Sequence, residues 1–357
     1  MHLNKSKIMT YSLPKFGVCF GDVDTSYTAA DVKAAVGVIS KYYNLIRTYD
    51  NFQTTDKLAM LMNQSNAYSI DVILGIPNVD LPTFDAANYV KANCYPAGET
   101  TPWPNLKCII VGNETYGANA YDTYAKDLHV HVAALIAEIK KDPKLDAQVA
   151  VSIDFGPALH MGQNVSECDF TGGGDADQKP KYIVDAMNAI INGGLSTPNM
   201  VFGNLYPFYA PENNVDLNTA DAMINQLAGT STGWYPYTAA LAALSKNGLT
   251  DITLNVGETG WSTKDGAPAQ TQKTSEARLT MYLEAYKTYI ETPSTYSNIN
   301  NFAGMTSIMF EMFDEPKKTD LAWEPYWGSY HSITPGSGTA PVKKANVTIP
   351  FKGENDM

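Results

Sequence analysis

The sequence predicts an α/β chain closed into a single-domain (β/α)8 (TIM) barrel. Three observations predict it. Eight short apolar runs alternate with longer stretches of helical spacing, polar and aromatic residues gather where each run ends, and the phosphate-cradling glycine turns of the rival open sheet are missing. At 357 residues two domains would fit, but barrels of this size are routinely one. The expected division is an N-terminal extension over 1–14, the barrel over 15–331, and a strap and tail over 332–357.

The first run, 15–20, leads into Gly21-Asp22, and the second, 45–49, carries Arg47-Thr48-Tyr49 into Asp50. The third, 71–76, opens onto Pro77-Asn78, and the fourth, 106–113, onto Asn113-Glu114-Thr115-Tyr116. The fifth, 148–155, closes on Asp154-Phe155, and the sixth, 200–206, on Tyr206-Pro207-Phe208-Tyr209. The seventh, 252–257, hands over Glu258-Thr259-Gly260-Trp261, and the eighth, 306–312, brings Glu311-Met312-Phe313-Asp314. Between them, 29–43 and 120–140 show apolar residues at helical spacing, and 216–246 reads as two helical pieces broken by Gly233 and Pro236. Strands alternating with helices pair in parallel through right-handed crossovers, and eight such units close most economically as a barrel. The Gly-, Pro- and Ser-rich stretch 332–344 reads as an irregular strap, and the polar residues from Lys352 as a frayed end.

Composition narrows the function classes. Charged residues make up 17%, below the usual quarter, while tyrosine is abundant at 22, which suits a surface that handles neutral, hydroxyl-rich ligands and equally an ordinary soluble surface of low charge. A net charge of −12 and the lack of a basic stripe disfavour nucleic acid and anionic membranes. No apolar run reaches the roughly 18 residues of a spanning helix. The amino terminus, with two lysines in 1–13 and no apolar segment, does not read as a signal peptide. Cys19, Cys94, Cys108 and Cys168 lack metal-ligand spacing; Cys19 and Cys108 lie in strand runs as core thiols, which leaves a Cys94–Cys168 bridge open. His129 and His131, two apart on a helix, face different ways, so no metal is expected there. The acidic, glycine-rich run 169–177 lacks the closing glutamate of a calcium loop and reads as a loop that can border the cleft.

In such a barrel the working residues sit at the C-terminal ends of the strands. Two of those ends are built alike: an apolar run, a glycine, then a glutamate, in 108–114 and again in 254–258. A carboxylate that ends a buried strand is delivered to a cleft, because burial within the sheet would be costly. Two glutamates presented this way are what glycoside hydrolysis needs.

The chain resembles the glycoside hydrolases of family 17, the β-1,3-glucanases and glucanosyltransferases. The residues that carry the likeness are Phe16-Gly17-Val18-Cys19-Phe20-Gly21, Ile46-Arg47-Thr48-Tyr49, Val111-Gly112-Asn113-Glu114, Asn204-Leu205-Tyr206-Pro207-Phe208, Val256-Gly257-Glu258-Thr259-Gly260-Trp261 and Phe310-Glu311-Met312-Phe313-Asp314-Glu315. It runs from about Phe16 to the Trp327-Gly328 region. The resemblance implies a retaining double displacement with Glu114 as acid/base and Glu258 as nucleophile, their carboxyls about 5–5.5 Å apart. Glu114 then needs a raised pKa, and Glu258 needs donors, for which Tyr206 and Arg47 are the candidates. Asn113 is placed to donate to the sugar 2-hydroxyl, Trp261, Tyr116 and Phe208 are candidate stacking platforms, and Tyr49 and Glu311 complete the substrate-binding set.

Duller roles stand beside these. Glu311 fits a structural ion pair with Arg47 or a lysine, Tyr206 a core tyrosine, and Trp261 packing beneath the mouth. Two departures from the family pattern stand out: Ser262 where proline is usual after the tryptophan, and Pro316 in a segment usually rich in amides and lysine. The expected substrate is a laminarin-type β-1,3-glucan, with hydrolysis or glucanosyl transfer sharing one covalent intermediate and a non-catalytic carbohydrate-binding barrel as the reading from another class. No cofactor, no nucleic acid and no membrane span are expected, and the chain is expected to be a monomer. The substrate class points to an extracellular or periplasmic location. Endo or exo action turns on loops such as 94–105 and 262–273.

Overall fold

A computed structural model of the chain describes residues 13–21, 26–50, 55–115, 124–159, 164–170, 179–195, 198–209, 219–229, 236–264, 274–292, 305–318 and 321–352. Tyr116, Asp22, Gly233, most of the glycine-rich run after Asp169, the loop residues 265–273 and the extension 1–12 lie outside them.

Eight parallel strands close on themselves in chain order: β1 (Phe16–Cys19), β2 (Leu45–Arg47), β3 (Asp71–Ile76), β4 (Leu106–Val111), β5 (Gln148–Asp154), β6 (Asn199–Asn204), β7 (Ile252–Thr259) and β8 (Ser307–Met309). The ring is sealed by β1 against β8, with Gly17 opposite Ile308. Each of the eight runs marked in the sequence coincides with one strand, though β6 begins one residue before its run and β7 continues past its run through Glu258 and Thr259. Nearly every strand position is buried, as in a parallel sheet covered by helices outside and by its own side chains within.

The crossovers carry α1 (Ala29–Ile39), α2 (Thr55–Ala67), α3 (Ala86–Asn93), α4 (Leu128–Ile139), α5 (Phe155–Ala158), α6 (Lys179–Gly193), α7 (Ala220–Ala228), α8 (Pro236–Lys246) and α9 (Glu276–Glu291). The stretch 216–246 does contain two helices, and Pro236 is the first residue of the second, where its missing N–H leaves nothing unsatisfied. Helix α1 ends at Ile39 rather than Tyr43, and Ser40 caps it. At its start, Thr28 and Asp31 form a capping box. The Asp31 carboxylate also accepts from Gly336 N (2.7 Å) and Gly338 N (2.8 Å), which ties the segment after the barrel to the first helix. Tyr330 and Lys343 add a backbone bridge within that segment.

Cys94 and Cys168 are both buried, and no disulfide joins them. Among the described residues no helix is long and apolar enough to cross a membrane.

The pairing is irregular where the candidate site lies. Along β6 and β7, Gly203 faces Val256 but the next pair is Asn204 with Glu258, so Gly257 is an extra residue. Between β7 and β8 the register slips again from Val256 to Thr259. A bulge of this kind bends the strand and re-aims the side chain after it, here Glu258.

Candidate active site

Arg47 is the hub of the barrel mouth. It ends β2 and is 1% exposed. Its Nη1 donates to Gly257 O (2.7 Å) and Asn204 Oδ1 (3.2 Å) and lies 3.3 Å from Glu258 Oε1. Its Nη2 donates to Asn113 Oδ1 (2.6 Å) and Ser152 Oγ (3.1 Å). One planar fork thereby fixes groups from β4, β5, β6 and β7, a task that a point-charged lysine could not perform. A Cβ at Gly257 would come within 2.8 Å of Arg47 Nη1 and 2.9 Å of Asn204 Oδ1, so the guanidinium requires a glycine there.

Glu258 is 4% exposed. Besides Arg47 at Oε1, its Oε2 accepts from the Tyr206 hydroxyl at 2.7 Å. Tyr206 and Arg47, the two donors proposed from the sequence, both reach its carboxylate. The guanidinium beside one oxygen and the phenol on the other supply the polar partners that a buried carboxylate needs.

Glu114 sits in a different setting. It follows β4 with φ +51°, a left-handed conformation that a non-glycine residue adopts at a cost of order 1–3 kcal/mol. Neighbouring backbone is pinned by Asn78, whose Nδ2 donates to Asn113 O (2.6 Å) and whose Oδ1 accepts from Asn113 N (2.9 Å). The Glu114 carboxylate accepts from Asn204 Nδ2 at 2.9 Å. Burial, then the charges of Glu258 and Asp154, push its carboxyl up to about 8, against the pull of Asn204 and Arg47. The two glutamates, 144 positions apart, therefore face each other electrically across the mouth (258 − 114).

Asn204, quoted above within a family motif, had no role assigned to it from the sequence. Its amide accepts from Arg47 and Ser152 at Oδ1 and donates to Glu114 at Nδ2, so it links the two halves of the site. Like Glu258 it ends an apolar strand, and that placement was its available signal.

The other candidates divide. Asn113 is half-buried with its oxygen turned to Arg47, which directs the amide nitrogen elsewhere. Tyr49 is half-buried beneath Arg47, whose Cζ lies 5.0 Å from the ring centroid, and it meets Phe310 edge-on. Trp261 and Phe208 are both 0% exposed and meet at 5.4 Å and 90°. Neither ring presents a face to a ligand, so these two expected platforms are the floor beneath the mouth. Gly260 explains how Trp261 gets there: a Cβ on it would lie 1.9 Å from Phe310 O, so only glycine lets β7 press against β8.

Glu311 follows β8 through a cis Phe310–Glu311 peptide bond and is 5% exposed. Burial, with Glu315 next, raises its carboxyl well above the ordinary range. Lys318 forms an ion pair with Glu315 and lies 4.3 Å over the Phe310 ring. Burial opposes the Lys318 charge, but Glu311 and Glu315 outweigh it and raise its pKa. The charge that answers Glu311 is thus this lysine of the Pro316 segment, and the contacts of Arg47 run to other strands.

Comparison with known proteins agrees with this architecture. The model of the glycosyl hydrolases family 17 matches residues 16–335. A glucan endo-1,3-beta-glucosidase of Vitis vinifera is 25% identical, covering 92% of this chain and 91% of the relative. Lichenase-2 of Hordeum vulgare is 24% identical, covering 90% and 96%. A glucan 1,3-beta-glucosidase of Schizosaccharomyces pombe is 25% identical, covering 88% and 82%. Among solved structures, CJP38, a beta-1,3-glucanase and allergen of Cryptomeria japonica pollen, superposes with a TM-score of 0.71 at 18% identity, covering 95% of this chain and 99% of that one. At that identity the likeness speaks for the fold.

Proposed function

We propose a reaction for this chain on a plain premise: it belongs to the family 17 glycosyl hydrolases and is a glycoside hydrolase. The reaction is cleavage of β-1,3-linked glucan of the laminarin type by double displacement, with Glu258 as nucleophile and Glu114 as acid/base. The observation that carries it is the contrast between the two carboxyls. Glu258 is charge-paired and hydrogen-bonded, whereas Glu114 is pushed up to about 8 and so holds a proton at neutral pH.

In the first step a Glu258 oxygen attacks the anomeric carbon while Glu114 gives its proton to the departing glycosidic oxygen. The C–O bond to the leaving sugar breaks as the glycosyl–Glu258 ester forms. Glu114, now ionised, then takes a proton from water, whose oxygen attacks the same carbon and releases Glu258. The site geometry supports this division. Tyr206 and Arg47 stabilise the Glu258 carboxylate before attack and after release, and Asn204 carries the field of Arg47 to Glu114. Asn113 donates through Nδ2 to the sugar 2-hydroxyl, a bond that strengthens as positive charge builds at the anomeric centre. The β-1,3 linkage follows two of the relatives, a glucan endo-1,3-beta-glucosidase and a glucan 1,3-beta-glucosidase, beside which the third is a lichenase. Such a substrate places the working enzyme outside the cytoplasm, extracellular or periplasmic.

The test is incubation with laminarin oligosaccharides of defined length. Shorter products of retained β configuration are expected, with Glu258→Gln inactive. Products longer than the substrate would assign the second step to a sugar acceptor in place of water. Unchanged turnover in Glu258→Gln, or inverted products, would overturn the double displacement.

A further inference from the structure

The aromatic residues of the mouth form two layers. Phe208, Trp261 and Trp327 are the inner one, each at most 1% exposed. The outer one is Tyr209, 39% exposed, and the half-buried Trp323, with Tyr206 between them and the nucleophile. Phe208 supports both outer rings, at 5.3 Å from Tyr209 and 6.3 Å from Trp323. Tyr206, whose hydroxyl holds Glu258, has its ring 5.7 Å from Tyr209, so the outer layer begins one ring away from the reacting carboxylate.

The outer rings are also tied to one another. Trp323 Nε1 donates to the Tyr209 hydroxyl (3.4 Å), which in turn donates to Glu324 Oε1 (3.0 Å). Their polar atoms are engaged with one another in this chain of bonds near the surface, beside a Tyr209 ring that stays exposed.

The segment that bears Trp323 and Glu324 is clipped to the end of β7. The single Ser262 hydroxyl proton is shared between Trp323 O (3.1 Å) and Lys264 O (2.9 Å), contacts that the family's usual proline cannot make. Thr263 donates to Tyr326 O through both N and Oγ1, at 2.9 Å each, and Lys344 Nζ donates to Thr263 Oγ1 at 2.7 Å.

We propose that Tyr209, Trp323 and Glu324 form a sugar subsite beside the catalytic pair, seating one glucosyl unit on the two rings and accepting one of its hydroxyls at Glu324. The inference rests on the glucan-cleaving reading above and adds to it the residues that grip the chain next to the cleaved linkage. Packing accounts for the inner layer, which is closed to solvent. It does not account for two surface rings locked to each other and to a carboxylate. A pyranose has an apolar C–H face and a rim of hydroxyls, and this patch offers the matching pair of surfaces. Because the rings are already held, binding does not have to order them, and the affinity lost elsewhere to immobilisation is retained.

The experiment measures binding of laminari-oligosaccharides of rising length to the full chain carrying Glu258→Gln, by calorimetry, with and without Trp323→Ala. The expected result is about a tenfold loss of affinity, with the increment per added sugar reduced at one chain length. In the active enzyme the same change raises KM about tenfold and alters the product ladder while kcat stays within about threefold. Tyr209→Phe, which keeps the ring and cuts the polar chain, gives a smaller loss, and Trp323→Tyr restores part of the affinity. Should Trp323→Ala fail to fold, Tyr209→Ala and Glu324→Gln carry the same comparison. Parental affinity, KM and product ladder in folded Trp323→Ala and Tyr209→Ala variants overturn the subsite. Absence of glucan cleavage by the parent would instead strike the reading on which it rests.

Discussion

Glu114 and Glu258 stand at the ends of two strands of one barrel, yet their surroundings are built to opposite ends. Glu258 lies within β7, past a bulge, with a guanidinium on one oxygen and a phenol on the other. Glu114 lies just past β4 on left-handed backbone, with the Asn204 amide donating to it and a carboxyl raised to about 8. The difference shows how a symmetric fold gives two like carboxyls unlike surroundings, which is the contrast the proposed acid and nucleophile require. The distinction lies in neighbours: Arg47 lies beside one carboxylate, whereas Asn204 stands between it and the other, on which its charge is the smaller influence.

The comparison breaks most severely at the proposed nucleophile. Glu258→Gln removes the attacking oxygen, and glucan turnover should fall by at least about 10³-fold, as read in initial rates. Glu114→Gln should cost about 10²–10⁴-fold on natural glucan and much less on an aryl glucoside whose leaving group needs no proton. The parent's basic limb, expected near pH 8, should vanish from that variant's pH–rate profile.

The same substitution has a stability signature. A carboxyl at about 8 in the folded state and near 4.5 when unfolded contributes stability that is full below pH 4.5 and is lost as pH rises towards 8. Glu114→Gln removes that loss, so its melting temperature relative to the parent should be higher at pH 8 than at pH 4.

Arg47→Met strips a buried carboxylate of its partner, and denaturant titration should show a loss of about 3–5 kcal/mol. The smallest effect is at the link between the halves. Asn204→Ala should lower turnover about tenfold and, by removing a donor that favours the ionised form of Glu114, move the basic limb to higher pH. A limb that stays put or moves down would mean that Asn204 does not tune the acid.

Much of this was legible along the chain. Eight apolar runs marked eight strands, since a parallel strand buried on both faces must be almost wholly apolar. A charged residue that ends such a run is conspicuous, which is why Glu114, Glu258 and Arg47 could be read. The orientation of rings was not legible. Phe208 and Tyr209 are adjacent and chemically alike, but one is 0% and the other 39% exposed, because Trp261 and Trp327, far along the chain, close over the first. Asn204 was hidden for a related reason. Its place at a strand end was the one signal along the chain, and its role arises only when Arg47, Ser152 and Glu114 converge on it from three other parts of the barrel. Ser262 could be seen as a departure from the family pattern, but its partner Trp323 is 61 residues away.

The most direct test of the division between the two carboxyls is to trap the covalent intermediate. The enzyme is inactivated with a 2-deoxy-2-fluoro laminaribioside bearing a good leaving group, digested, and the labelled peptide sequenced by tandem mass spectrometry. The account predicts a single adduct on Glu258. An adduct on Glu114, Glu311 or any other residue would contradict it.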